Sequence, residues 1–273
     1  MDWSFLNKAW IATALLVVLY ALESVAPMYS GRVGRVRHGL INLGLGWINS
    51  FAVALPATSM LYVVTEWARL ADFGLTRWLG MPTWMSWIFV LAAFDAWMYW
   101  WHRFNHRISW LWRFHAVHHS DREMDVTSAL RFHPGEILFS SLARMVVLPA
   151  LGMTMPQLLA YETLLLPVIL FHHSNVWVPR ALDAGLRLLI VTPWMHWVHH
   201  SQNRCETNSN YSSVFSFWDR LFGSYRLRPD PEAILQGLPD EDGGADWRTP
   251  RDLLSAPFRH PRGRLDNGEC DIS

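Results

Sequence analysis

The chain opens on a long apolar run, "AWIATALLVVLYALESVAP" (Ala9 to Pro27), and apolar stretches recur at Leu40–Val64 and Met85–Trp101. A helix needs about 20 mostly apolar residues to cross a bilayer, so all three runs predict spans. Two shorter stretches, Ile137–Leu151 and Leu158–Phe171, are separated by "GMTMPQ". At about 1.5 Å of rise per residue each is short for a full crossing, and the expectation is a tight helical pair that dips in and returns. From about Arg226 the chain turns polar, with "PDPE" and "PDEDGGAD", and reads as a soluble, partly disordered tail. This predicts an all-α integral membrane protein with three to five membrane helices. Residues 1–82 hold the first spans, 83–226 the core, and 227–273 a cytoplasmic tail.

Composition sharpens this picture. The 273 residues are 51% hydrophobic and 17% charged, with 17 tryptophans. Soluble domains average about 25% charged residues, and tryptophan collects at membrane interfaces. The run from Ala9 is long and its flank only weakly basic, so it predicts a retained span rather than a cleaved leader. Net charge is zero, which gives no sign of nucleic-acid binding. Two cysteines, Cys205 and Cys270, are too few for a zinc ribbon. Arg32, Arg35, Arg37 and His38 lie between the first two runs. The excess of basic residues in cytoplasmic loops puts that loop inside, and counting spans brings the inner end of the third run, Trp101, to the same face.

The chemistry begins there. "HRFNH" places His102 and His106 at i, i+4, "HAVHH" places His115, His118 and His119 at i, i+3, i+4, and "HWVHH" repeats this at His196, His199 and His200. Each set shares one helix face. Random placement of the 13 histidines would give roughly 0.03 copies of His-x-x-His-His. Eight imidazoles can converge only if a cation draws them together, and neutral imidazole is a favoured metal ligand. Eight exceed what one ion takes, so two ions with four or five nitrogens each fit. Ligand type alone leaves zinc, copper, iron and nickel open. Asp95 and Tyr99 share a face with His102 and His106. Asp95 lies in an apolar run where a carboxylate is functional by default, and it is expected to orient His102. A non-catalytic membrane metal binder or carrier is the alternative of another class. It would spread ligands across the bilayer depth, whereas these fall on one face.

The stretch "HRFNHRISWLWRFHAVHHSDREMDVTSALRFHPGE", with the later "HSN", "TPWMHWVHHS" and "NYSSVFSFWDRLFGSYR", resembles the fatty acid hydroxylase and sterol desaturase superfamily over about Asp95 to Arg226. The resemblance implies a membrane oxygenase with two iron ions, which isolation can replace by zinc. It would use dioxygen to hydroxylate or desaturate lipid C–H bonds, with electrons from a separate ferredoxin- or cytochrome-type donor. The compact chain, with no fused cytochrome, implies a bacterial enzyme of the cytoplasmic membrane with its site on the cytoplasmic side. Eukaryotic members carry a further His-x-x-x-His between the two longer motifs. His173 matches its first position and joins the ligand set, but Trp177 stands at the second, leaving His172, Asn175 and His133 as candidates for the vacancy. Glu136, Asn210 and Asp219 are expected to support the ligands, with Tyr211, Arg131 and Arg220 structural.

Overall fold

Helix α1 (Trp3–Val25) leads through a loop to α2 (Arg35–Ile48), which runs without a break through a π-helical stretch, Asn49–Ala54, into α3 (Leu55–Leu70). In an α register the Pro56 ring would strike the carbonyl four residues back, and the wider π turn accommodates it. A single turn, α4 (Leu75–Trp78), precedes the long α5 (Thr83–Arg107) and then α6 (Ser109–His119). After a 3-10 turn at Val126–Leu130 come α7 (Pro134–Leu151), α8 (Met155–His173), α9 (Arg180–Leu186), α10 (Pro193–His199), α11 (Arg204–Thr207), α12 (Phe217–Leu221), a 3-10 turn at Pro231–Ala233, and α13 (Pro250–Arg259). This computed structural model describes residues 3–30, 32, 34–239 and 247–259, with side chains from residue 10 onward. Among them there is no strand, only isolated bridges such as Pro27–Val176.

Among the described residues three helical stretches are long and apolar enough to cross a membrane, Arg35–Trp78, Pro134–Leu151 and Met155–His173, and the described part of the first run, Trp10–Val25, is a shorter apolar helix. The chain is therefore an all-α integral membrane protein, and two expectations change. The run at Met85–Trp101 is helical, as α5, but it is not among these three. Its tryptophans and Asp95 dilute its apolarity. The pair expected to dip and return is instead two helices of 18 and 19 residues. At about 1.5 Å per residue each reaches 27 Å or more, close to the roughly 30 Å hydrocarbon core. They extend because each begins on a proline near its N-terminus, behind a cap: the His133 side chain accepts from Gly135 N–H, and Thr154 forms a capping box with Gln157.

The turn between α7 and α8 needs glycine. Gly152 has φ 79°, and a Cβ there would collide with the Thr76 hydroxyl, so the left-handed cap also lets α4 close on the hairpin. At the opposite end of the bundle the polar chemistry gathers. The buried Glu23 of α1 accepts hydrogen bonds from Val126 N–H (3.1 Å) and Asn175 N–H (2.9 Å), tying the segments that follow α6 and α8 to one carboxylate. The shared core of α5, α7, α8 and α10 includes Phe94, Leu148, Tyr161 and Met195.

The polar tail is a third correction. Ile234, Leu238, Trp247, Leu253 and Ala256 are buried, the last four packed with Trp112, Ala116 and Val117 of α6. Apolar residues spaced among Pro, Gly and Asp carried little signal against the average polarity, yet they cover the histidine helix. The rest of the expected tail, residues 240–246 and 260–273, lies outside the described residues.

Candidate metal centre

Helices α5, α6, α8 and α10 deliver their histidines to one end of the bundle. Nine of them form two groups, each with one ligand nitrogen per residue within 4.8 Å of the others: His102, His106, His115, His119 and His199 in one, and His118, His173, His196 and His200 in the other. The two groups gather the same nine histidines that the sequence marked as candidate ligands. The groups abut, with the rings of His119 and His200 stacked at 4.4 Å. Each His-x-x-His-His motif straddles both. His115 and His119 serve the first group and His118 the second. His196 and His200 serve the second and His199 the first. Duplicating the motif thus yields two groups that exchange their middle histidines.

The nitrogens themselves test whether a cation fits. His102 and His199 point Nδ1 at the carbonyls of Tyr211 (2.9 Å) and Ser209 (2.6 Å). A carbonyl only accepts, so Nδ1 carries the proton and Nε2 a lone pair. Yet the two Nε2 atoms lie 3.0 Å apart. His118 and His173 repeat the arrangement, donating to Arg131 O (3.3 Å) and Ile169 O (2.8 Å) with their Nε2 atoms 3.1 Å apart. Two facing lone pairs repel unless a cation lies between them. Nitrogens about 2.1 Å from one ion at roughly tetrahedral to square angles sit about 3.0–3.4 Å apart, so the residues fit a metal in both groups. Burial, aided by repulsion among the rings, holds His118, His119, His196 and His200 well below the ordinary imidazole range and pushes His199 down to about 3. They are neutral at pH 7, as ligation requires.

The supporting residues divide. Glu136 Oε1 accepts from His115 Nδ1 at 2.7 Å, a direct support of the kind expected. Asp219 accepts from Tyr211 N–H (2.7 Å), Ser212 N–H (3.1 Å) and the Ser224 hydroxyl (2.8 Å), so it shapes the loop whose Tyr211 carbonyl holds His102. Asn210, at φ 52°, donates to the carbonyls of Met195 and Arg226 and accepts from Arg226 N–H, clamping α10 to the following segment. Asp95 does not orient His102. Its carboxylate accepts from the Tyr161 hydroxyl (2.5 Å), Trp218 Nε1–H (2.8 Å) and Phe215 N–H (3.1 Å). Shared face along α5 was a sound inference, but helix periodicity says nothing of what packs opposite. Tyr99 likewise bonds Ser224 (2.7 Å) and Arg103 (3.0 Å), not an imidazole.

None of the three candidates for the vacancy joins either group. His133 caps α7 and faces Leu254 O at 3.2 Å. Asn175 is locked to Tyr29 through both amide atoms at 2.8 Å. His172 is buried beside His196, ring centroids 4.0 Å apart, but outside the four. Trp177 cannot mark a ligand position, because α8 ends at His173 and the indole turns away onto Trp194. Sequence reasoning passed over Glu23 and undervalued Arg131, whose guanidinium donates to Val117 O, Asn42, Ser120 and Trp247 O. A lone glutamate in an apolar run was the available signal for the first.

A cavity of about 200 Å³ opens beside both groups, between α5, α7 and α8. Met98, Trp101, Ile137, Leu165 and Ile169 give it apolar walls, and His102, His115, His118 and His173 meet it at the metal end.

Known proteins resemble this chain over the same region. An alkylglycerol monooxygenase from Danio rerio is 28% identical over 248 residues, 80% of this chain and 52% of that protein. An ornithine lipid hydroxylase from Rhizobium tropici is 34% identical over 149 residues, 55% of this chain and 44% of that one. A cholesterol 25-hydroxylase from Rattus norvegicus is 25% identical over 211 residues, 74% of this chain and 66% of that one. The chain spans about half the length of the first two. No solved structure matches it. A fatty acid hydroxylase family model matches residues 87–224, just over half the chain and a stretch that holds all nine clustered histidines, and the chain belongs to that family.

Proposed function

We propose that the protein is a membrane-bound, dioxygen-dependent lipid hydroxylase with a dinuclear iron centre. The observation that carries this is the pair of abutting histidine groups, five and four, whose facing Nε2 lone pairs need cations between them. Iron bound there would supply dioxygen reduction and oxidation of a C–H bond. The chain's own part is positional. His102, His106, His115, His119 and His199 would hold one ion and His118, His173, His196 and His200 the other, with the carbonyls of Tyr211, Ser209, Arg131 and Ile169 fixing four of the rings. The apolar cavity excludes water and aims one carbon of the substrate at the pair.

The substrate is a lipid. The matched relatives are named for an alkylglycerol, an ornithine lipid and cholesterol, and the cavity lies among membrane helices. A separate ferredoxin- or cytochrome-type donor supplies electrons. The protein resides in a bacterial cytoplasmic membrane with the centre on its cytoplasmic side, in keeping with the basic Arg32, Arg35 and Arg37 near that end. The test is metal analysis of gently purified protein together with dioxygen uptake in the presence of reductant and membrane lipid. About two metal ions per chain and reductant-dependent uptake with one oxygen gained on a lipid are expected. One ion per chain would overturn the dinuclear assignment, and metal without uptake would favour a binding or carrier role.

A further inference from the structure

The cavity is mostly apolar, and apart from the histidines its polar lining is Asn105, Glu136, Ser140, Arg144, Ser212 and Ser213. At the end where the histidines open on it Asn105, 2% exposed, lines the wall, and its Oδ1 has no hydrogen-bond partner. Glu136, 6% exposed, lines the same end. One of its oxygens is taken by His115, and the other, Oε2, is buried with no partner. His172, which joins neither histidine group, also reaches the cavity with Nδ1 unpartnered. Buried polar atoms are nearly always paired, and leaving an acceptor unmet in a dry site is costly. Carboxylate oxygen can only accept, so the group that meets Glu136 must donate. Away from this end Met98, Leu165 and Ile169 suit a hydrocarbon chain. The other charged side chain on the wall is Arg144. It stands eight residues beyond Glu136 on α7, about 12 Å of helix rise, and is turned to Glu162 (3.5 Å) and the Met98 sulfur (3.6 Å).

From this distribution we infer that the substrate is a lipid bearing a hydrogen-bond donor, such as a hydroxyl, next to the carbon presented to the metals. Asn105 and Glu136 receive that donor and so select a position beside a polar headgroup over one along the chain or at its end. The inference rests on the hydroxylase reading for its reaction but not for its binding preference. A site built around a hydroxyl discriminates strongly against an analogue lacking it, because its own polar groups are then stranded.

The experiment compares two radiolabelled probes on full-length, metal-loaded protein in nanodiscs: hexadecyl glyceryl ether with its free diol, and its dimethyl ether, which keeps the chain and oxygens but has no donor. The diol should bind at least ~10-fold tighter. Asn105→Leu, similar in volume but without an amide, should bring the ratio toward one by weakening the diol alone. Asn105→Ala serves the same purpose should the leucine variant not fold, and metal content confirms an intact centre. Equal affinity for the two probes, failure of both to bind, or a preference undiminished in a folded Asn105 variant would overturn the inference. Dioxygen uptake is recorded separately. A donor preference without uptake on either probe defeats the hydroxylase reading alone, whereas uptake on both at equal affinity defeats this inference alone.

Discussion

A ligand imidazole must keep one nitrogen free of protons and hold its ring still, and here backbone carbonyls do both for His102, His118, His173 and His199. His172 has neither such a partner nor a place in the groups, so His172→Phe should leave metal content at about two ions per chain. His173→Phe should lower it to about one, since the second group then keeps three nitrogens. Elemental analysis of the two purified variants checks both. Asp95 acts on stability instead. Asp95→Ala would strand the Tyr161 hydroxyl and the Trp218 indole N–H, a loss of roughly 2–4 kcal/mol, read as a lower unfolding midpoint in detergent at unchanged metal per folded chain. The histidine motifs were legible because each keeps its ligands within one helical turn. The division into five and four was not, because it depends on α6 and α10 meeting across 77 or more intervening positions. Trp177 misled for a local reason: the spacing assumes a helix that stops at His173.

Among the elements, the hairpin of α7 and α8 sets the cavity's depth and carries Glu136, Arg144, Leu165 and His173 along its walls. Its geometry hangs on one turn. Gly152→Ala must adopt φ 79° and displace Thr76, so it should cost more than the roughly 1 kcal/mol usual for a residue at a glycine-favoring angle. Differential thermal denaturation against the parent protein measures it. The break at "GMTMPQ" was readable from glycine and proline. The helix ends were not, because Pro134 and Met155 begin helices by capping contacts that hydropathy ignores. The Glu23 carboxylate escaped notice for a similar reason, as its partners Val126 and Asn175 lie more than 100 residues away in the chain.

For the molecule as a whole, the bundle puts the centre at one end and the α7–α8 turn at the other, so the two ends should face opposite compartments. With the centre on the cytoplasmic side, a membrane-impermeant maleimide applied to intact cells should label Asp72→Cys, exposed near the turn, but not Glu232→Cys, exposed near α10. The reverse pattern would invert the topology. One feature of the architecture also imposes a chronology. The cover over α6 comes from Leu238, Trp247, Leu253 and Ala256, which leave the ribosome long after both histidine motifs. Until those residues arrive, the face of α6 formed by Trp112, Ala116 and Val117 has no such cover. Arrival of Trp247 and Leu253 then closes the door, with Arg131 and His133 latching it through the carbonyls of Trp247 and Leu254. On this side of the centre, exchange of a bound ion would then require that cover to open.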